Sequence, residues 1–234
     1  MGLKIKLNDD EYFSPMLCLD AEESDLDNPL YIGTIKMDGT MVVIENLENG
    51  FRFYSRRGLT YNSTIPEVTE AFGKIQQSFR VIGELVYIDS EGHQVFRGSQ
   101  IRCQISSKEK IEEYRKLYPV GVFLFDITHL NGIDLTKLPF MKRWNILTAF
   151  HKLYSELFGW NNVVRLVPIS MEKRKMYEYA KTIGLEGLVL RKLDGIYEEG
   201  KRSENMKKLK VREHSIWTLK DGEWKSDRKT SRKV

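Results

Sequence analysis

The chain has 234 residues, with 37 Lys and Arg against 33 Asp and Glu and a formal net charge of +4 at pH 7. That length can bury a substantial core without disulfide or metal staples, as one large domain or one domain with an appendage. The mild basicity permits a polyanionic partner without requiring one, and no segment approaches the length of an apolar membrane span. Cys18 and Cys103 are far apart, with no Cys-x-x-Cys and no His at metal-ligand spacing, so both read as ordinary reduced thiols. Met1 to Asn8 lacks the apolar run of a signal peptide. A soluble, intracellular protein of cytoplasm or nucleoid is expected, and a monomer. Charge is uneven: Asp9, Asp10, Glu11, Glu22, Glu23, Asp25 and Asp27 make the first segment acidic, whereas Lys201 to Lys233 is basic.

The stretch to Pro29 reads as a polar loop that tucks Pro15-Met16-Leu17-Cys18-Leu19 into the core. From Leu30 the pattern turns to short strands. Leu30 to Ile35 is rich in β-formers, and Gly39 allows the chain to fold straight back into Met41-Val42-Val43-Ile44. Met41 to Ser55 reads as a hairpin turned at Asn49-Gly50. Pro66 opens a helix with Val68, Phe72 and Ile75 on one face. Arg80 to Asp89 is a strand, turned by Ser90-Glu91-Gly92 into a partner strand through Val95 and Phe96. Ser106 or Ser107 caps a helix carrying Ile111, Tyr114, Leu117 and Tyr118, which Pro119 ends. Val120 to Ile127, apolar almost throughout, suits a buried strand, and Asn131-Gly132 turns the chain toward the helix after Pro139. That helix presents Trp144, Leu147, His151, Tyr154 and Phe158, so His151 is a core-edge residue rather than a ligand. A strand over Val163 to Ile169 leads to Ser170 as the cap of a helix closed by Gly184, and Leu188 to Leu190 is a last short strand. Hairpins with intervening helices predict an α+β domain of mostly antiparallel sheets. No glycine-rich phosphate loop is present.

Lys36, between an apolar strand and the Asp38-Gly39 turn, has its Cα fixed at a strand end and a side chain long enough to reach a ligand. Taken alone it reads as a hairpin lysine on a solvated face. Other stretches give it company. Glu84 and Glu186 each interrupt an apolar strand beside glycine, where a carboxylate needs a polar partner. Lys208 and Lys210, two apart on a strand, project from one face and repel each other unless an anion or water lies between them. An attacking amine must be neutral, a state that neighbouring cations and partial burial favour, and Arg56, Lys208 and Lys210 could supply that field. Phosphate is the natural anion for such a site, with carboxylates such as Glu186 holding Mg²⁺ against it. These residue types converge on lysine-mediated nucleotidyl transfer.

In order and spacing these stretches resemble the covalent nucleotidyltransferase superfamily of ligases and capping enzymes, and above all the adenylation domain of ATP-dependent DNA ligases. Lys36-Met37-Asp38-Gly39 matches the nucleophile motif, and Pro15-Met16-Leu17 resembles the entry upstream of it. Phe125-Asp126-Ile127, with Leu130-Asn131-Gly132 and Leu138-Pro139, resembles the segment around the adenine-stacking aromatic. Lys201-Arg202-Ser203 with Lys208-Leu209-Lys210 resembles the final basic motif. The resemblance implies a ligase-type, ATP-grasp-like nucleotidyltransferase fold with flanking helices over residues 1–211, followed by a basic tail at 212–234.

It also implies roles. Lys36 becomes a lysyl-AMP; Thr34 and Ile35 precede it in the nucleotide pocket; Arg56 and Glu84 contact the ribose and its surroundings; Phe125 stacks on adenine. Glu186, with Glu84, serves Mg²⁺ or Mn²⁺, and Lys208 and Lys210 hold the α-phosphate of ATP. AMP then passes to a nucleic-acid 5′-phosphate, and a nick is sealed. The implied partner is nicked duplex DNA, with RNA open as an alternative. An RNA ligase or capping guanylyltransferase is the second enzymatic reading, and a binding module without chemistry is a third. Three departures stand out: Met41 where the family usually carries arginine, Thr34 where many carry glutamate, and Met206 where tryptophan is usual. Val211 to Val234, with Trp217, Trp224 and their basic neighbours, is too short for the oligonucleotide-binding barrel that follows in DNA ligases. Either the chain is an excised or naturally minimal catalytic domain, or its tail and a partner supplying an OB-fold or DNA-binding function replace the barrel.

Overall fold

A computed structural model describes residues 4–8, 11–160 and 163–211, and the backbone of 216–220 and 223–227. In chain order come β1 (Leu17–Asp20), a 3₁₀ turn at Glu23–Asp27, β2 (Tyr31–Lys36), β3 (Thr40–Leu47) and β4 (Gly50–Ser55). Helix α1 (Pro66–Phe72) and β5 (Phe79–Tyr87) precede a helical pair, α2 (Phe96–Gln104) and α3 (Lys108–Leu117). Then follow β6 (Val120–Leu130), β7 (Ile133–Asp134), α4 (Phe140–Phe158), β8 (Val164–Leu166), β9 (Ile169–Ser170) and α5 (Lys173–Thr182). The last elements are β10 (Gly187–Lys192), β11 (Arg202–Lys210), β12 (Ile216–Lys220) and β13 (Glu223–Asp227).

Two sheets form the body. One has the order β1-β11-β10-β2-β9; the other has β4-β3-β5-β6-β7, with β8 added on β6, and β12 pairs with β13 alone. Pairing is antiparallel except for β1 with β11 and β8 with β6. The expected α+β class with mostly antiparallel sheets is therefore the observed one. The largest apolar cluster among the described residues joins the sheets and helices, with Ile35, Val42, Leu124, Leu147, Phe150 and Leu188 among its members. Of the expected basic tail, the side chains of 212–234, including Trp217 and Trp224, lie outside the described residues, as do Met1 to Leu3, Asp9 and Asp10.

Several expectations need correction. The opening stretch is not only loop, since Leu17–Asp20 pairs in parallel with β11. The expected strand through Val95 and Phe96 is the start of α2; only a bridge between Ile88 and Gln94 remains of the hairpin. Gly98 and Ser99 make α2 a poor helix on propensity, and tertiary contacts override that: Gly98 packs against Tyr87, where a Cβ would come within 2.1 Å of the ring. Arg102 adds a buried bidentate bond to Glu67 at 2.7 and 3.0 Å. The expected strand over 163–169 breaks before Pro168. Val167 N–H still bonds Leu124 O in one sheet, whereas Pro168 O accepts Ile35 N–H in the other, so the chain crosses between sheets there. Asn131-Gly132 turns first into β7 rather than directly into α4, and neither Ser107 nor Ser170 makes a side-chain helix cap.

Candidate active site

Lys36 ends β2 because the two residues beyond it leave the sheet. Asp38 is buried and its N–H donates to Gln94 Oε1 at 2.8 Å. Gly39 meets the backbone of β5 so closely that a Cβ would lie 2.2 Å from Leu85 O. The glycine requirement is thus one of space. Lys36 Nζ reaches Glu186 Oε2 at 2.5 Å, with side-chain exposures of 21% and 1%. The antiparallel pairing of β2 with β10, which sets Lys36 against Gly187, brings the two together.

Register lays out the rest. Across β2, β10 and β11 the rows read Lys36–Gly187–Lys210, Thr34–Val189–Lys208 and Ile32–Arg191–Met206. Side chains on paired β residues share a face, so Lys36 and Lys210 look at each other across a position with no side chain. Gly187 (φ 147°) cannot carry one: its Cβ would sit 2.1 Å from Leu209 O. Lys208 extends to Asp20 Oδ1, 3.1 Å away at the exposed end of β1. Thr34, 1% exposed, donates its hydroxyl hydrogen to Val189 O at 3.0 Å, leaving oxygen lone pairs as acceptors.

The second sheet closes the cleft. Met41 pairs with Glu84, and Glu84 with Phe123, while Phe125 lies further along β6. Thr34, Ile35, Lys36, Glu84 and Phe125 all line one cavity between the sheets. Its volume is about 80 Å³, with the thioethers of Met41 and Met206 among its lining, room for a few waters rather than a purine. A larger cavity, about 650 Å³, is lined by Arg52, Arg80 and His129 at the other end of the six-stranded sheet, away from Lys36. Burial pushes the Cys18 thiol in the small cavity upward, against the pull of Arg191, Lys36 and Lys208.

The chain matches the family model described as "ATP dependent DNA ligase domain" over residues 15–210. It belongs to the ATP-dependent DNA ligase family. A probable DNA ligase of Dictyoglomus turgidum is 34% identical over 177 residues, covering 75% of this chain and 30% of that protein. DNA ligase 1 of Methanosarcina mazei is 32% identical, covering 72% and 30%. The chain therefore spans less than a third of the length of these relatives. Among solved structures, mycobacterial DNA ligase D complexed with ATP and MES superposes with a TM-score of 0.69 at 18% identity, covering 91% of this chain and 64% of that one. The ATP-dependent DNA ligase from bacteriophage T7, complexed with ATP, gives 0.61 at 19% identity, covering 89% and 74%. At such identities the likeness is one of fold, and it agrees with the ligase-type nucleotidyltransferase architecture expected from the sequence.

Within this ligase domain, not every expected site residue meets in the cavity. Glu186 joins through Lys36, and Lys208 and Lys210 approach along the face of β11. Arg56 is exposed, in the turn one residue beyond the last β3–β4 pair, Val42 with Ser55, and is not among the residues that line the cavity. Sequence reading missed Cys18, Val167, Val189 and Arg191 as cavity residues. For Arg191 a signal was present: β6 and β10 are largely apolar strands, β6 carries Asp126 and β10 ends on Arg191 and Lys192, and Asp126 and Arg191 bond at 3.1 Å.

Proposed function

We propose that this domain carries out the first step of ATP-dependent strand joining, transferring AMP from ATP to Lys36. The observation that carries the reading is the Lys36–Glu186 contact at the mouth of a cavity bounded by Thr34 and Phe125. The Lys36 amine attacks the α-phosphorus, an N–P bond forms, the bond from that phosphorus to the β-phosphate oxygen breaks, and pyrophosphate leaves. Glu186, within hydrogen-bond reach of Nζ, accepts the proton. Lys208 and Lys210, on the same face, offset charge developing on the α-phosphate, and the gap over Gly187 leaves room for it. Phe125 stacks on adenine, Thr34 accepts a hydrogen bond from its amino group, and Arg56 and Glu84 serve the ribose side.

Among the described residues no cluster of three or more His, Cys, Asp or Glu could cage a metal. Magnesium favours one or two carboxylates together with substrate phosphates, and Glu84 and Glu186 are the two this cleft offers. Bound there with ATP, Mg²⁺ or Mn²⁺ would supply Lewis-acid neutralisation of the phosphates.

Residues 1–211 then form the adenylation unit and 212–234 an appended basic segment. AMP passes to the 5′-phosphate of a nicked DNA duplex and the adjacent 3′-hydroxyl displaces it. Nicked duplexes with DNA or RNA on either side of the nick, incubated with ATP or GTP and Mg²⁺, test this. Sealing of the DNA nick with ATP is expected. A preference for RNA termini would overturn the DNA assignment, and a GMP adduct in place of AMP would overturn the choice of ATP.

A further inference from the structure

Beside the cavity, which Arg191 lines, two charged side chains meet between the sheets. Arg191 of β10 is 5% exposed and donates from Nη1 to Asp126 Oδ2 of β6 at 3.1 Å. Asp126 also accepts Arg143 Nε at 2.8 Å and Nη2 at 3.1 Å from α4. Burial pulls the Arg191 pKa down, and the Asp126 carboxylate opposes it. The two arginines are not equivalent. Arg143 donates from all three nitrogens, its Nη1 reaching Leu138 O and Gly195 O, so its bonding is spent on the scaffold. Arg191 Nε is buried with no hydrogen-bond partner among the described residues, and Arg191 lines the cavity beside Thr34 and Val189.

The Arg191 guanidinium also lies over the Phe125 ring, 4.9 Å from its centre, and over Phe140 at 5.0 Å. A cation on one face of Phe125 fixes the ring in place and leaves the other face for a base. We propose that Arg191 is a positioning residue for the nucleotide base: anchored by Asp126, it holds Phe125 as the stacking platform and sets the gap between β10 and β6 that the purine enters. This rests on the reading of the cavity as the ATP site.

The test compares wild type with Arg191→Met, which removes the cation but leaves Asp126 its two bonds to Arg143, and Arg191→Lys, which keeps the charge but loses the planar fork. Lys36–AMP formation is followed against ATP concentration, and the reverse release of ATP from the adenylated enzyme against pyrophosphate concentration. Pyrophosphate never touches the base platform. Arg191→Met is expected to raise the KM for ATP about tenfold, to lower the maximal rate by less than about threefold, and to leave the KM for pyrophosphate unchanged. Arg191→Lys should fall between, and quenching of bound 2-aminopurine riboside triphosphate should weaken in the same order. An unchanged KM for ATP in both variants, or equal rises for ATP and pyrophosphate, would overturn the proposal. Absence of any adduct in the wild type would overturn the adenylation reading itself, an outcome that involves no variant and is separable on that ground.

Discussion

Lys36 Nζ and Glu186 Oε2 are 2.5 Å apart, although 150 residues separate them in the chain. The contact joins the end of β2 to the residue before β10, and Glu186 is almost wholly withdrawn from water while Lys36 keeps a path to the cavity. A charge-assisted bond of this kind holds the amine where a phosphate can reach it and keeps a proton acceptor beside it.

Glu186→Gln preserves shape and removes the acceptor. The rate of Lys36 adenylation is expected to fall by about 10²- to 10⁴-fold, the range for loss of a positioned base, while the melting temperature shifts little. Rapid-quench measurement of adduct formation checks this; a rate within threefold of wild type would remove Glu186 from the chemistry.

Thr34 spends its hydroxyl hydrogen on Val189 O and so faces the cavity as an acceptor. That suits the amino group of adenine and not the carbonyl of guanine. Thr34→Val is expected to lower the ATP-over-GTP preference in kcat/KM about tenfold, the worth of one hydrogen bond. Competition between the two nucleotides for Lys36, read by intact mass, measures it.

Gly39→Ala places a methyl group 2.2 Å from Leu85 O before relaxation. A stability loss of about 1–3 kcal/mol in urea unfolding is expected, with adenylation falling further because Lys36 is three residues away on the same turn. Wild-type stability in this variant would show that the motif glycine is not there for space.

Burial pushes the Cys103 thiol from its ordinary 9.0 up to about 11. The folded state therefore holds a proton that the unfolded chain has already released, so this contribution is complete below pH 9 and is lost as the pH rises from 9 to 11. Two units correspond to about 2–3 kcal/mol. Unfolding free energies measured across that window should fall more steeply in wild type than in Cys103→Ala, the difference removing Tyr54 and Tyr197, which burial also raises, but not Tyr61, which burial and Cys103 itself raise.

Much of the site was legible because its residues break local patterns: Lys36 before Asp38-Gly39, Glu84 inside an apolar strand beside glycine, and Glu186 at the edge of one, also beside glycine. The strands on which they sit follow from β-propensity and turn residues. What escaped depends on contacts distant in sequence. Helix α2 contains weak helix formers and is held by Tyr87 and Glu67, and the crossing at Pro168 is set by which sheet accepts each backbone group. The cavity residues Cys18 and Val189 carry no chemical signature, and only register places them. Arg191 and Asp126 were visible as charges in largely apolar strands, but their pairing follows from the approach of the two sheets.

The central claim is that Lys36 is the site of nucleotide attachment, and intact-mass measurement after incubation with ATP and Mg²⁺ tests it most directly. Wild type should gain the mass of one AMP and lose it on addition of pyrophosphate, whereas Lys36→Ala should gain nothing. An adduct of equal yield in Lys36→Ala, or none in wild type across a range of pH and metal, would contradict the account.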